Sequence, residues 1–256
     1  VGVDPSRNSV TLPTLVGGTA SATSVSSSGE HNCSLIGSPA VVGCWGVTTR
    51  NQLGGGGGSF SLTPVTVPLQ ATSAVLPPVA TCAGSEHSCA LDGASNVYCW
   101  GRTLYGETGN TPGGLAATES LHPVDGLQGG TTTAIACGGQ SLYSTSFTCA
   151  LQSDTTVLCF GANESGQLGR GVIDPVDGGN VPAHPEVKPV LSADGVTPLS
   201  GVTALAAGLN HACAIVCGGA AGGRLVCWGR NDVGQLGLGD TLTADQPLAM
   251  PVLSPP

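Results

Sequence analysis

The chain has 256 residues, only 9% of them charged, and a formal net charge of −9 at pH 7. Its seven Lys and Arg residues are too few for a basic nucleic-acid-binding surface, so that class of function is excluded. It contains no run of about 18 apolar residues, the length that a membrane-spanning helix needs. The 41 glycines and the scarcity of charge are typical of short strands joined by tight turns, and they predict an all-β fold.

In chain order, the first segment is residues 1–21, which precede the repeated part of the sequence. It has neither an initiating Met nor a signal-peptide pattern, as expected of a mature start or of a fragment. Within it, Val10–Leu15 resembles the apolar, proline-bearing segments that end each repeat. We therefore predict an extra outer strand here. It would either close a ring within the chain or pair with the next molecule in an open-ended, head-to-tail assembly.

The rest of the chain consists of four copies of one pattern, in which a strand with His-x-Cys or Phe-x-Cys precedes a strand that ends in Cys-Trp-Gly or Cys-Phe-Gly. The second cysteines of the copies are 55, 60 and 68 residues apart, at Cys44, Cys99, Cys159 and Cys227. A period of this size indicates one supersecondary unit copied in tandem. The copies cover approximately residues 22–69, 79–124, 133–191 and 203–252. We interpret residues 1–256 as one repeat array and one domain.

Each copy ends in an apolar segment that contains proline. These segments are Pro64–Leu69, Pro123 with Val124, Val187–Leu191 and Pro247–Val252. Proline cannot donate a backbone hydrogen bond, so within sheets it is confined to edge positions. Each copy is therefore predicted to form three well-paired strands and one outer strand. The Gly- and Pro-rich connections at residues 102–130 and 170–200 are expected to be surface loops, which carry binding function more often than strands do.

Eight of the eleven cysteines form four pairs, and each pair lies on the second and third strands of one copy. The pairs are Cys33 with Cys44, Cys89 with Cys99, Cys149 with Cys159, and Cys213 with Cys227. Neighbouring antiparallel strands can place two such residues opposite each other, so we predict four disulfides. Each would stabilise the fold by about 2–4 kcal/mol. Disulfides at this density favour an oxidising compartment and hence a secreted or cell-surface protein.

Zinc is the alternative use of these cysteines. His31, His87 and His211 each precede a cysteine by two residues, but the third copy has Phe147 at that position. No copy therefore offers the four ligands of a structural zinc site, and we predict no metal and no cofactor.

Three cysteines lie outside the four pairs. Cys82 and Cys137 are interpreted as occupying the same place in the first strands of copies two and three, each two residues before a glycine, and they could pair if those strands are neighbours. Cys217 lies in a hairpin of the last copy and has no evident partner within the chain. An odd cysteine in a secreted protein suggests a free thiol or an intermolecular bond.

The repeated pattern, Gly-x-x-His-x-Cys-Ala-Leu and then Val-x-Cys-Trp-Gly-x-Asn-x-x-Gly-Gln-Leu-Gly, resembles the regulator of chromosome condensation repeat. The resemblance covers all four copies and is best in the last and weakest in the first, where glycines follow Asn51. It implies a β-propeller of four-stranded antiparallel blades, of which the family usually has about seven. We expect about four blades, or a partial or assembled larger propeller. The cysteine pairs resemble secreted bacterial or algal members rather than the nuclear exchange factor, whose basic tail has no counterpart here.

Single residues are given structural roles. We expect His31, His87 and His211 to bond backbone groups, and Asn163 and Asn231 to form turns. The aromatic residues at one repeated position are expected to lie between blades; they are Trp45, Trp100, Phe160 and Trp228. Asn32 and Asn163 each begin an Asn-x-Ser sequon and are candidate glycosylation sites.

No Gly-x-Ser-x-Gly elbow, His-Glu-x-x-His motif or paired carboxylate site occurs, so we predict a protein that is not an enzyme. The interpretation that follows is an extracellular propeller that acts as a structural or protein-interaction module of a surface assembly or filament. The alternative is a soluble binder or inhibitor of another protein or glycan, acting through its loop face and similar to the secreted β-lactamase-inhibiting propellers of this family.

Overall fold

The computed structural model describes residues 15–55, 58–69, 76–110, 118–140, 145–175, 182–217, 222–239 and 243–253. Over these residues the chain forms sixteen strands in four antiparallel four-stranded sheets, the blades of a β-propeller. No helix among the described residues is long and apolar enough to cross a membrane. The predicted extra strand at Val10–Leu15 lies outside the described residues except for Leu15, which is exposed.

Each blade takes four consecutive strands in simple up-and-down order. Blade 1 contains β1 (Ala22–Ser27), β2 (His31–Ile36), β3 (Val41–Val47) and β4 (Phe60–Thr66). Blade 2 contains β5 (Pro78–Ala83), β6 (His87–Asp92), β7 (Val97–Arg102) and β8 (Thr118–Pro123). Blade 3 contains β9 (Thr132–Gln140), β10 (Thr145–Gln152), β11 (Val157–Gly161) and β12 (His184–Pro189). Blade 4 contains β13 (Val202–Ala207), β14 (His211–Cys217), β15 (Gly223–Gly229) and β16 (Gln246–Pro251).

The proline-bearing strands lie at the outer edge of each blade, as their sequences predict. These strands begin N-terminal to the proline-bearing segments that the sequence marks. Two of the expected surface loops are therefore shorter than predicted. Strand β8 falls within residues 102–130, and β12 falls within residues 170–200. The first strands β5, β9 and β13 contact the preceding blade, which places the blades in chain order around an axis.

Side chains alternate between the two faces of each blade. We call the face towards the next blade the forward face and the other one the back face. On β2, His31, Cys33 and Leu35 point forward and pack against blade 2. On β6, Ser88 and Ala90 point back towards blade 1. Because the side-chain period of a strand is two, this parity holds along every strand and fixes which residues meet between blades.

Three hydrophobic clusters fill the three contacts between successive blades. Each joins the cysteines and aliphatic residues of one forward face to the alanine and aromatic residue of the next back face. The back-face pairs are Ala90 with Trp100, Ala150 with Phe160, and Ala212 or Ala214 with Trp228. All of these side chains are at most 1% exposed. The interior of the protein is thus a series of separate layers between blades.

The register places the paired cysteines of each blade directly opposite each other. Their Cα atoms are 4.1 Å apart in all four pairs, and the structure joins each pair in a disulfide. A fifth disulfide connects Cys82 in blade 2 to Cys137 in blade 3. Cys217 is free and exposed.

The sequence suggested that Cys82 and Cys137 occupy equivalent positions, and this is wrong. Cys82 lies opposite Cys89 and points forward, whereas Cys137 lies opposite Thr148 and points back. The equivalent of Cys137 in blade 2 is Ala83, which lies opposite Ser88. Residues at equivalent positions would point in the same direction and could not meet. The offset of one residue is therefore what allows this disulfide to form between blades.

Candidate interaction site

Histidines hydrogen-bond across the contacts between blades. Nε2 of His31 lies 2.8 Å from Oγ of Ser88, which in turn donates to the carbonyl oxygen of Gln52 at 2.9 Å. Since the serine proton is used on Gln52, His31 must carry its proton on Nε2 and donate it to Ser88. The expected partner is a backbone group, and the structure adds to it a hydroxyl on the next blade.

The same relay occurs between blades 2 and 3. Nε2 of His87 lies 2.7 Å from Oγ1 of Thr148, and Thr148 donates to the carbonyl oxygen of Glu107 at 3.0 Å. Between blades 3 and 4 the corresponding pair is Phe147 and Ala212, both fully buried. A polar residue therefore meets a polar residue at two contacts, and an apolar residue meets an apolar residue at the third.

Burial keeps these histidines neutral. Desolvation lowers the pKa of His31 to about 4 and that of His87 to about 3, where the nearby His31 contributes further. Desolvation also lowers the pKa of the half-buried His211. A general acid or base works best with a pKa near the ambient pH, so His31 and His87 are suited to holding blades together rather than to proton transfer.

The glycine of the Gly-x-x-His motif lies directly beneath the imidazole. A Cβ atom on Gly84 would be 2.2 Å from Cε1 of His87, and one on Gly208 would be 2.3 Å from Cε1 of His211. Blade 1 has Ser28 at this position instead, and its Oγ lies 3.0 Å from Nδ1 of His31. In blades 2 and 4 the glycine therefore leaves the space that the imidazole ring fills, whereas in blade 1 the serine hydroxyl lies within hydrogen-bond distance of the ring.

The indole groups make the second repeated contact between blades. Nε1 of Trp100 donates to the carbonyl oxygen of Gln52, and Nε1 of Trp228 donates to that of Gln167, both at 2.9 Å. The glycine that ends the Gly-Gln-Leu-Gly turn has positive φ and lies against the indole, as Gly169 does against Trp228. The Gly-Gln-Leu-Gly turn of one blade therefore binds the aromatic side chain of the next blade, through a hydrogen bond to its carbonyl and packing against its glycine.

Asn163 holds this turn in blade 3 through both ends of its carboxamide. Its Oδ1 accepts from the backbone N–H of Leu168 at 3.0 Å, and its Nδ2 donates to the carbonyl oxygen of Val172 at 3.1 Å. The side chain is fully buried, which leaves no room for a glycan in this fold. The turn-forming role agrees with the structure, and the glycosylation candidate at Asn163 does not. Asn32 is partly exposed.

Glu107 stands where the other three copies have glutamine, a feature that the sequence interpretation missed. Its side chain is fully buried, and its Oε2 accepts from the backbone N–H of Tyr105 at 2.6 Å. Gln52, Gln167 and Gln235 accept the equivalent bond through Oε1. Oε1 of Glu107 has no partner among the described residues. Desolvation raises the pKa of Glu107 to about 8, so the carboxyl is protonated at neutral pH and replaces the glutamine amide.

Three sulfur atoms, those of Cys82, Cys89 and Cys137, lie within 4.8 Å of one another. All three belong to disulfides, so none is available as the thiolate that a zinc site requires. The arrangement is a layer of two adjacent disulfides between blades 2 and 3.

One end of the propeller gathers most of the polar irregular structure. Because β2 and β3 are antiparallel with His31 opposite Gly46, the turn before each second strand and the connection after each third strand lie at the same end. We call this the loop end. A cavity of about 380 Å³ opens there on the axis, lined by all four blades. Its lining is mostly glycine and alanine backbone, with Ser28, Cys137 and His211 as the side chains of chemical interest.

Two charged clusters brace the loop end. Glu86 pairs with Arg102 of its own blade and with Nε of Arg50 in blade 1 at 3.7 Å. In blade 3, Nε2 of His184 lies 2.6 Å from Oδ2 of Asp174 and fastens the loop to β12. Val172 and Ile173 directly precede Asp174 in the connection between β11 and β12. Their side chains are 55% and 45% exposed. The loop end thus combines ordered connections with exposed apolar side chains.

Comparison with known proteins connects this geometry to one repeat type. A family model of the regulator of chromosome condensation (RCC1) repeat matches residues 79–107, which run from β5 to the Glu107 turn of blade 2. The human E3 ubiquitin-protein ligase HERC2 is 31% identical over 217 residues, which are 84% of this chain and 4% of that protein. The ultraviolet-B receptor UVR8 of Arabidopsis thaliana is 28% identical over 224 residues, 86% of this chain and 44% of the receptor.

Solved structures of RCC1-type propellers share the fold of this chain. Yeast RCC1 (Prp20), crystallised with Kap60, superposes with a TM-score of 0.71 at 19% identity, over 95% of this chain and 50% of that one. Human WBSCR16 superposes with a TM-score of 0.69 at 21% identity, over 91% of this chain and 55% of that one.

The chain is built from RCC1 repeats. It spans less than half of the curated relatives and about half of the solved propellers that it matches. The chain carries five disulfides, a density that favours an oxidising environment. The repeated histidine, aromatic and glycine residues described above account for the packing of the blades.

Proposed function

We propose that this RCC1-repeat chain is a non-enzymatic, extracellular protein-interaction module that binds its partner at the loop end. The observation that carries the proposal is the convergence of all four blades on one axial cavity at that end. Connections at the same end are held by the Arg50–Glu86 ion pair and by the hydrogen bond between His184 and Asp174, and one of them carries the exposed side chains of Val172 and Ile173. Rigidly held loops with exposed apolar residues are the usual form of a protein-binding surface.

The neutral histidines support a non-enzymatic role. His31 and His87 are buried between blades and hydrogen-bonded there, so no substrate can reach them. The buried Glu107 likewise points into a turn and not into the axial cavity. Among the described residues, the titratable side chain that lines the cavity is His211. Ser28 also lines the cavity, but its hydroxyl is hydrogen-bonded to His31 of its own blade, so it does not form a nucleophile–base pair with His211.

Variants of the exposed loop test this proposal. The chain with Val172→Glu and Ile173→Glu is immobilised beside the unchanged chain and a Val196→Glu control, and the extracellular proteins of the source organism are passed over all three. Val196 is 80% exposed and lies at the opposite end, between β12 and β13. We expect one partner to be retained by the unchanged chain and the control and at least tenfold less by the double variant. Equal retention on all three surfaces, or on none, contradicts the proposal.

The second candidate is a soluble inhibitor that acts through the same loops, and the density of disulfides favours it because small secreted inhibitors depend on them. Its test uses a purified class A β-lactamase as the probe. Inhibition that saturates at one chain per enzyme and is lost in the Val172 and Ile173 double variant supports the inhibitor. An unchanged rate of hydrolysis at saturating chain concentrations favours the interaction module.

A further inference from the structure

The two terminal blades expose faces that the internal blades bury. On the forward faces of blades 1 to 3 one aliphatic pair recurs at the same position, and every member is at most 6% exposed. The pairs are Leu35 with Val42, Leu91 with Val97, and Leu151 with Val157. In blade 4 the corresponding pair is Ile215 with Leu225, and these side chains are 42% and 44% exposed.

The back face of blade 1 shows the complementary exposure. Ile135 on β9 and Leu205 on β13 point back and pack into the contacts with the preceding blades. Val25 on β1 occupies the same register position, opposite Ser34, and is 67% exposed. Trp45, further out on β3, is only 6% exposed, so the outer part of this face is already covered. The back-pointing Ser34 of β2 is also only 1% exposed, so the open area is formed by β1 and the Asn32 end of β2.

The hydrogen-bonding groups of the two faces also match. Wherever a forward face has histidine, the next back face has a polar side chain, as in His31 with Ser88 and His87 with Thr148. Within the described residues the ring of the forward-pointing His211 and the carboxamide of the back-pointing Asn32 make no hydrogen bond. Asn32 occupies the position of Ser88 and Thr148, and its Oδ1 can accept the proton that His211 Nε2 would donate.

The geometry points to a second copy of this chain as the occupant. The two open faces complement each other, since the apolar side chains of Ile215 and Leu225 would face Val25, and the ring of His211 would face Asn32. We propose that the β13–β14 face of each chain binds the β1–β2 face of the other, which forms a closed two-chain ring of eight blades. Eight blades lie within the usual range of about 4–8 for propellers. A head-to-tail contact that closes leaves no exposed face, whereas one that does not close makes a fibre.

The first measurement is the mass of the native chain in solution, by light scattering after gel filtration, over a series of concentrations. The protein is made without glycosylation, since a sugar on Asn32 would lie in the contact. We expect a particle of two chains. Ile215→Glu and Val25→Glu should each raise the dimer dissociation constant at least 100-fold, because each buries a carboxylate against apolar side chains. The matched control is Val196→Glu, on neither face, which should leave the dimer intact.

Mixing the two variants distinguishes a head-to-tail contact from a symmetric one. The Val25→Glu chain keeps a good blade 4 face, and the Ile215→Glu chain keeps a good blade 1 face. Their mixture should therefore form a two-chain particle with one intact contact, weaker than the native ring. A chain that stays monomeric at every concentration, an open polymer, or a Val25→Glu chain that still dimerises alone would overturn the proposal. The loop-end variants lie outside both faces, so the interaction module can fail without affecting this result.

Discussion

His87 in blade 2 donates a hydrogen bond of 2.7 Å to Thr148 in blade 3, and both residues are fully buried. Sixty-one residues of sequence separate the two side chains. The bond shows that the histidine of this repeat acts as a connector between neighbouring blades. The pair Phe147 and Ala212 fills the same position at the next contact without a hydrogen bond.

Exchanging the polar pair for the apolar pair should show their coupling. His87→Phe alone leaves Thr148 without its donor, and Thr148→Ala alone leaves a buried imidazole without its acceptor, so each should cost about 1–3 kcal/mol of unfolding free energy. The double variant recreates the pair found between blades 3 and 4 and should regain at least half of the summed loss. Denaturant unfolding of the four proteins in a double-mutant cycle measures this. Strict additivity would show that the two side chains act independently.

Acid should destabilise the protein through the same histidines. Their pKa is about 4 for His31 and about 3 for His87 in the folded chain, against 6.5 when unfolded. Between pH 6.5 and about 4 the unfolded chain therefore binds more protons, so stability falls as the pH is lowered through this window. Thermal unfolding at stepwise lower pH should show the decrease, and the His87→Phe, Thr148→Ala double variant should show a smaller one. An identical pH slope in both proteins would contradict this origin.

Glu107 should act in the opposite direction. Its pKa of about 8 in the folded chain lies above the ordinary value of 4.5, so here the folded chain binds more protons. Its contribution to stability is fully present below pH 4.5 and is lost progressively as the pH rises to about 8. Glu107→Gln removes the titration and restores the amide of the other copies. The variant should be more stable by a few kcal/mol at pH 8, on the order implied by this shift, and by little at pH 4.5. A Glu107→Gln gain that does not vary with pH would contradict the burial of an ionisable group here.

Alkylation without reduction tests the cysteine pattern. Iodoacetamide should label Cys217, which is free and exposed, and leave the other ten cysteines unlabelled. Peptide mapping should then recover four short-range pairs and the peptide that joins Cys82 to Cys137. Labelling of four or more of the paired cysteines in the native protein would show that the disulfides do not form.

Replacement of Asn163 tests its role in the turn. Asn163→Ala removes the acceptor for Leu168 N–H and the donor to Val172, and should cost about 1–3 kcal/mol because the site is buried. Asn32→Ala removes no hydrogen bond to the described residues and should leave monomer stability within about 0.5 kcal/mol. Unfolding monitored at a low, matched protein concentration compares the two. An equal loss for both variants would contradict the turn assignment.

The sequence predicts the blades well because its strongest signals are local. Cysteine spacing across a short hairpin determines which strands pair, and prolines mark the outer strands. The partners of the histidines were not predictable in this way, because Ser88 and Thr148 lie in other copies and strand parity alone does not say which face meets which. The register of Cys137 was misassigned because Gly138 and Gly139 both resemble the glycine of the motif. Glu107 could have been found by aligning Gly106–Gly109 with the Gly-Gln-Leu-Gly turns of the other copies.

The bond between Cys82 and Cys137 gives the chain an uneven response to force. Each of the other four disulfides links neighbouring strands of a single blade, whereas this one spans 55 residues and two blades. If an oxidised molecule is pulled from its two ends, the terminal blades can unfold and extend. The segment enclosed by this bond cannot extend. Reduction of this bond together with the Cys89–Cys99 bond nested inside it would add about 190 Å of contour length, at roughly 3.5 Å per residue for the 55 residues released. The maximum extension of the middle of the array therefore depends on whether its surroundings are oxidising or reducing.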